Sequence, residues 1–196
     1  GSAGSVPEAL PVADRSGVNW RHMTIIVCPL SRAPHIARER RPSRAVSLLD
    51  RDTAFPALGM GERHLQLDVH DIEAEVEGLD ACCDARMERI IQFVRGWDRS
   101  APILIHCWAG ISRSTATAYI TACLHNPGTD ESAIAQALRE ASPTAMPNRR
   151  FVALADTALG RNGRMSAAIA AIGDGFPRWP DIKEAEPFTL RSQFAA

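Results

Sequence analysis

The chain has 196 residues, enough for one domain with a sizeable core. Hydrophobic residues make up 45% and charged residues 23%, which excludes a globally disordered chain. The formal net charge of −1 leaves no overall basic character for nucleic acid to recognise, and no apolar run approaches the roughly 20 residues a membrane-spanning helix needs. Five cysteines, at positions 28, 82, 83, 107 and 123, form neither a disulfide framework nor a CxxC metal pair. Residues 1–5 lack the charged and apolar regions of a secretory leader and read as a cloning remnant. Reduced thiols in a soluble cytoplasmic protein, with no membrane and no nucleic-acid partner, are the expectation.

The first twenty residues read as loop, with Pro7, Pro11 and Gly17. Thr24 to Cys28 is a short apolar run closed by Pro29 and predicts a buried strand. Residues 33–44 are basic, with Arg38, Arg40, Arg41 and Arg44 around Pro42, and read as a solvated face or as a reader of anionic groups. Ala45 to Leu49 predicts a second strand with Asp50, Arg51 and Asp52 as its polar exit. From His64 to His70, apolar residues at 65, 67 and 69 share one strand face. Over about 78–97 the period changes: Leu79, Cys82, Cys83, Met87, Ile90, Ile91, Val94 and Trp97 recur at three and four, which predicts an amphipathic helix with both cysteines as small core residues.

Ile103 to His106 is a short apolar strand that runs into a glycine-containing turn, followed by an Ala- and Thr-rich helix over 113–125. A loop at 126–130, with Thr129 or Asp130 as N-cap, precedes a helix over about 131–141. Pro143 and Pro147 break the chain ahead of another helix over about 149–160. The last twenty residues, with Pro177, Pro180 and Pro187, read as irregular. Alternating strands and helices predict an α/β sandwich: a central, mostly parallel sheet flanked by helices. In such sheets sites form beyond the carboxyl ends of strands, and residues 103–125 are the clearest strand-loop-helix unit.

That unit contains His106, Cys107, Trp108, Ala109, Gly110, Ile111, Ser112, Arg113 and Ser114. A loop of seven residues from Cys107 to Arg113 can curl so that its N–H groups point inward, while the helix that follows adds its positive N-terminal end. Together they form a cradle for an oxyanion, which Arg113 can close with paired charge-assisted hydrogen bonds. A cysteine at the base of the cradle sits in a positive field that favours its thiolate, and a thiolate facing a bound phosphoryl group is arranged for covalent phosphoryl transfer.

The run His-Cys, five residues, Arg, Ser resembles the signature of the protein-tyrosine-phosphatase superfamily, and the Gly110-Ile111-Ser112-Arg113 spelling is similar to its dual-specificity subgroup. The resemblance spans roughly residues 22–160. It divides the chain into an N-terminal segment (1–21), a catalytic domain (22–160) and a C-terminal extension (161–196). It implies Cys107 as nucleophile, Arg113 as phosphate clamp and Ser114 as the hydroxyl that assists the departing thiolate. His106 orients the loop, and Trp108, Ala109, Gly110, Ile111 and Ser112 line it, with no chemical role for Trp108 or Ser112. The general acid is implied to be an aspartate some thirty-odd residues upstream: Asp71, with Asp68 as the alternative. Pro147-Asn148 matches a segment whose Asn braces the loop, and capping of the next helix is the other reading of Asn148.

The implied activity is hydrolysis of phosphomonoesters through a cysteinyl-phosphate, with no metal and no cofactor, and with phosphate or sulfate bound in the loop. Because Trp108, Ala109 and Ile111 bring no lysine beside the cysteine, a phosphoprotein, phosphotyrosine first, is the expected substrate, with a small phosphomonoester as the other. Two alternatives stand: a module that recognises phosphate without hydrolysing it, and a rhodanese-like sulfur transferase.

Overall fold

The computed structural model describes residues 23–178 and 180–195, so the N-terminal segment and its loop reading lie outside the described residues. Five strands form one sheet: β1 (Thr24–Pro29), β2 (Arg44–Leu49), β3 (His64–Asp68), β4 (Ile103–Cys107) and β5 (Phe188–Arg191). Their spatial order is β3-β2-β4-β1-β5. The first four run parallel and β5 pairs antiparallel with β1, through Thr24 with Arg191 to Val27 with Phe188. Every residue of β1 and β4 is buried, as expected of strands covered on both faces.

Helix α1 (Ala33–Arg40) lies on one face, where Ala33 and Ile36 meet Ile26, Cys28, Ala45 and Leu104. The other face carries α2 (Asp84–Arg95), α3 (Arg113–His125), α4 (Glu131–Ala141), α5 (Arg149–Ala158) and α6 (Arg164–Ala171). There the alternate strand residues Ile25, Val27, Val46, Leu48, Ile103 and Ile105 join the main core. Helix α3 runs through this core and is buried continuously from Arg113 to Cys123. Its composition follows from that position: small residues let neighbours approach on all sides, and the threonines satisfy their own hydroxyls. Thr117 donates to Arg113 O (2.9 Å) and Thr121 to Thr117 O (2.7 Å). The α/β sandwich is therefore the observed fold.

Several elements depart from the sequence reading. The basic stretch contains α1, which needs only two buried residues to dock and so leaves little periodic signal. Its arginines Arg38, Arg40 and Arg41 are exposed and lead into the amino end of β2, whereas the candidate site lies at the carboxyl ends of the parallel strands. They are a solvated face. The amphipathic helix starts at Asp84 rather than near 78, because Asp80 is drawn into a charged knot with Arg51 and Arg86 that turns the chain. Leu79 is consequently exposed, and Cys83 is a half-buried N-cap position rather than a core residue, while Cys82 is buried as expected. Trp97 lies beyond the helix yet is buried, its Nε1–H donating to Ala101 O (2.8 Å). The tail contains α6 and β5: Met165, Ala168 and Ile169 enter the main core, and Leu190 faces inward from the added strand.

Candidate active site

Three parallel strands end at the same edge of the sheet, and each delivers one side chain to a single cleft of about 690 Å³. Cys107 closes β4, Asp50 follows β2, and Asp71 follows the β3 segment. Val69 N–H still donates to Leu49 O (2.8 Å), so the pairing of β2 and β3 persists just far enough to aim residues 70 and 71 at the cleft. Asp68 sits at the end of β3 and is not among the lining residues; Asp71 is.

The Cys107 sulfur is almost wholly buried at the floor of the cleft. The Gly110 N–H points at it (3.3 Å) and the Ser114 hydroxyl lies 3.1 Å away. The loop between them is a tight curl. Gly110 has a φ of 75°, and a Cβ there would lie 2.8 Å from Pro29 N, so both the backbone angle and the space demand glycine. The curl is braced from outside by main-chain bonds: Leu30 N–H to Trp108 O (3.1 Å), Met146 N–H to Ile111 O (2.9 Å) and Ala185 N–H to Ala109 O (2.9 Å). Trp108 itself is 48% exposed at the rim.

Arg113 is buried at the first turn of α3. One guanidinium nitrogen, Nη1, donates to Asp50 Oδ1 (2.8 Å) and to Val69 O (2.7 Å). Its Nε is buried without a hydrogen-bond partner among the described residues. A buried charged donor left unpaired is costly unless an anion completes it. Asp50 read from sequence only as the polar end of a strand; the signal that it belongs here is the strand order, which places β2 beside β4.

Asp71 is exposed, and two donors converge on its Oδ1: Ser112 Oγ at 2.6 Å and Asn148 Nδ2 at 2.9 Å. Oδ2 has no hydrogen-bond partner among the described residues, and Asp71 lines the cleft. Ser112, to which no chemical role fell from the resemblance, thus tethers the carboxylate. The Asn148 side chain caps the next helix and braces the segment carrying Asp71, whereas the residue meets the phosphate loop only through its main-chain N–H to Ser112 O (3.4 Å). Its Oδ1 caps α5 through Phe151 N–H (3.1 Å), and its Nδ2 reaches Asp71 and the Ile72 carbonyl (3.4 Å).

His106 is fully buried behind the nucleophile. One proton arrangement satisfies a row of bonds across three strands. Gln66 Nε2 donates to His64 Nδ1 (3.4 Å), and His64 Nε2–H donates to Ser47 Oγ (2.6 Å). Ser47 O–H then donates to His106 Nε2 (2.5 Å), and His106 Nδ1–H donates to Cys107 O (3.3 Å). Burial holds the His106 ring down to about 4, so it is neutral near pH 7 and acts as an orienting group. Burial pushes the thiols of Cys28, Cys82 and Cys123 up to about 12, which leaves them inert at neutral pH. Among the described residues no group of three or more His, Cys, Asp or Glu is placed to hold a metal ion, and no helix is long and apolar enough to cross a membrane.

No protein-family model matches the chain and no curated protein matches it. Solved structures do. The human tyrosine phosphatase-like serine/threonine/tyrosine-interacting protein shares 19% identity over 72% of this chain and 98% of its own, with a TM-score of 0.54. Human DUSP28 shares 18% over 70% and 92%, with a TM-score of 0.53. A mouse protein assigned as a dual specificity phosphatase, solved with zinc tungstate, shares 17% over 85% and 98%, with a TM-score of 0.54. At such identities the likeness is one of architecture, and the architecture of this chain is the dual-specificity-phosphatase fold.

Proposed function

We propose that the chain is a cysteine-dependent phosphomonoester hydrolase, acting on protein phosphotyrosine or on dual-specificity substrates. The observation that carries this reading is the floor of the cleft. A cysteine sulfur receives a loop N–H from Gly110 and lies against the Ser114 hydroxyl, beside a buried arginine with a donor to spare. Backbone amides, a helix start and a guanidinium supply fixed positive charge where a phosphoryl group gathers negative charge. The tungstate named with the mouse protein is a tetrahedral oxyanion, in keeping with a phosphate-shaped site on this fold.

The chemistry runs in two displacements. The Cys107 thiolate attacks phosphorus in line; the S–P bond forms as the bond to the leaving oxygen breaks, and Asp71 gives that oxygen its proton. Water then attacks phosphorus, and the Asp71 carboxylate takes a proton from it. The S–P bond breaks as phosphate leaves, and Ser114 O–H donates to the departing thiolate. His106 and Ser47 hold the strand end that carries the sulfur.

The test is hydrolysis of p-nitrophenyl phosphate by the wild-type chain and by Cys107→Ser. Loss of at least about a thousandfold is expected of a covalent nucleophile, and full residual turnover would overturn the reading. A second reading, phosphate recognition without turnover, draws on one observation: Asp50 already occupies one nitrogen of the clamp. Phosphate binding by a wild-type chain that hydrolyses nothing would favour it.

A further inference from the structure

One wall of the cleft comes from residues beyond the reach of the family resemblance. Residues 173–178 and 180–187 are tied to both flanks of the site: Phe176 N–H donates to Pro143 O (3.0 Å) and Ala185 N–H to Ala109 O (2.9 Å). Gly175 lies so close beneath that a Cβ on it would sit 2.5 Å from Thr144 backbone. Between these anchors the Arg178 carbonyl accepts from Asp181 N–H (2.8 Å), so the strap turns, and Arg178 and Lys183 both line the cleft. Lys183 stands two residues from the tether on the phosphate loop, a reach of roughly 7 Å.

The lining of the cleft carries both signs of charge. On the strap side Arg149 and Arg178 share one carboxylate, Asp174 (3.4 and 3.0 Å), and Lys183 pairs with no carboxylate among the described residues. The strap itself therefore brings two cations and one anion to the lining. Asp71 and Glu73 line the same cleft, with Glu73 accepting from Arg149 N–H (3.0 Å). Trp108 and Met146 are exposed apolar side chains of that lining. A uniformly anionic membrane surface would meet Asp71, Glu73 and Asp174 as well as the cations. A peptide, which places different charges at different positions, suits a lining of mixed charge.

We propose that the strap is the specificity wall of the site. Arg178 and Lys183 bind an acidic side chain adjacent to the phosphorylated residue, and the aromatic ring of phosphotyrosine rests against Trp108 and Met146. This deepens the phosphatase reading and rests on it for turnover, though not for binding. The experiment compares a phosphotyrosine peptide flanked by glutamates with one flanked by alanines. In the wild-type chain kcat/KM favours the glutamate peptide by about tenfold, carried by KM. In R178A/K183A the ratio collapses toward one, and in R178E/K183E it inverts toward a lysine-flanked peptide, an outcome that a misfolded variant cannot produce. Calorimetry of the same peptides on Cys107→Ser reads the preference without hydrolysis, so a missing turnover and a missing acidic preference are told apart. Equal ratios in wild type and R178A/K183A overturn the proposal. So does a wild-type preference for phosphatidylinositol 4-phosphate in phosphatidylcholine vesicles over the glutamate peptide.

Discussion

Asp71 and Gly110 show how single positions govern the candidate chemistry. Both donors to Asp71 converge on one oxygen, which fixes the carboxyl plane and leaves the other oxygen to exchange a proton. In the proposed mechanism Asp71 is the proton donor, and removing it penalises poor leaving groups most. Asp71→Asn is expected to lower kcat on phenyl phosphate by about 10²- to 10⁴-fold, and to lower it far less on p-nitrophenyl phosphate, whose leaving group needs little help. A steady-state comparison of the two substrates checks it, and equal losses would assign the proton to another group. Gly110→Ala meets both a positive φ and a backbone wall. A loss of about 2 kcal/mol or more is expected, read as a lowered urea midpoint together with loss of phosphate affinity. The contacts of Ser112 and Asp50 escaped the sequence reading for one reason. Their partners, Asp71 and Arg113, are 41 and 63 residues away in the chain, and nothing local marks the pairing. Cys107, Arg113 and Ser114 were legible because their geometry is set by consecutive residues, a short loop between a strand and a helix.

At the scale of elements, the 113–125 and 131–141 helices were predicted with their observed bounds, while α1, α6 and β5 were missed. Met165, Ala168 and Ile169 repeat at three and four, and Phe188 with Leu190 alternates around Thr189; the first signal lies between Gly163 and Gly173 and the second follows Pro187, in a stretch that reads as loop. The junction of α4 and α6 is held by charge. Glu131 is buried and accepts from Arg161 Nη1 (2.9 Å) and Arg164 Nε (3.2 Å). Arg161, also buried, donates further to Cys123 O (2.8 Å). Neutralising the acid leaves a guanidinium without its counter-charge in the interior. Glu131→Gln should therefore cost about 3 kcal/mol, measured by urea unfolding. Replacing Arg161 as well, by a residue that fills its space, should recover part of that loss.

The whole molecule is set against acid by its buried imidazoles. His106 is held at about 4, and burial also lowers His64 and His125. The unfolded chain, with rings near their ordinary value of about 6.5, takes up protons that the folded chain refuses. Stability is therefore complete above that value and falls as pH drops toward 4; His106 alone accounts for about 3 kcal/mol across the interval. Urea midpoints between pH 7.5 and pH 4.5 should decline accordingly, and His106→Gln should flatten the curve. The order of strands has a separate consequence for how the chain comes off the ribosome. Among the described residues β1 precedes the other strands, and its outer edge pairs with a partner some 160 positions later. Until β5 arrives, a strand whose every residue is buried in the finished fold stands with one row of amides and carbonyls unclaimed. A chain cut short before Phe188 keeps that edge open permanently, a template for sticking to its own kind rather than a smaller version of the same protein.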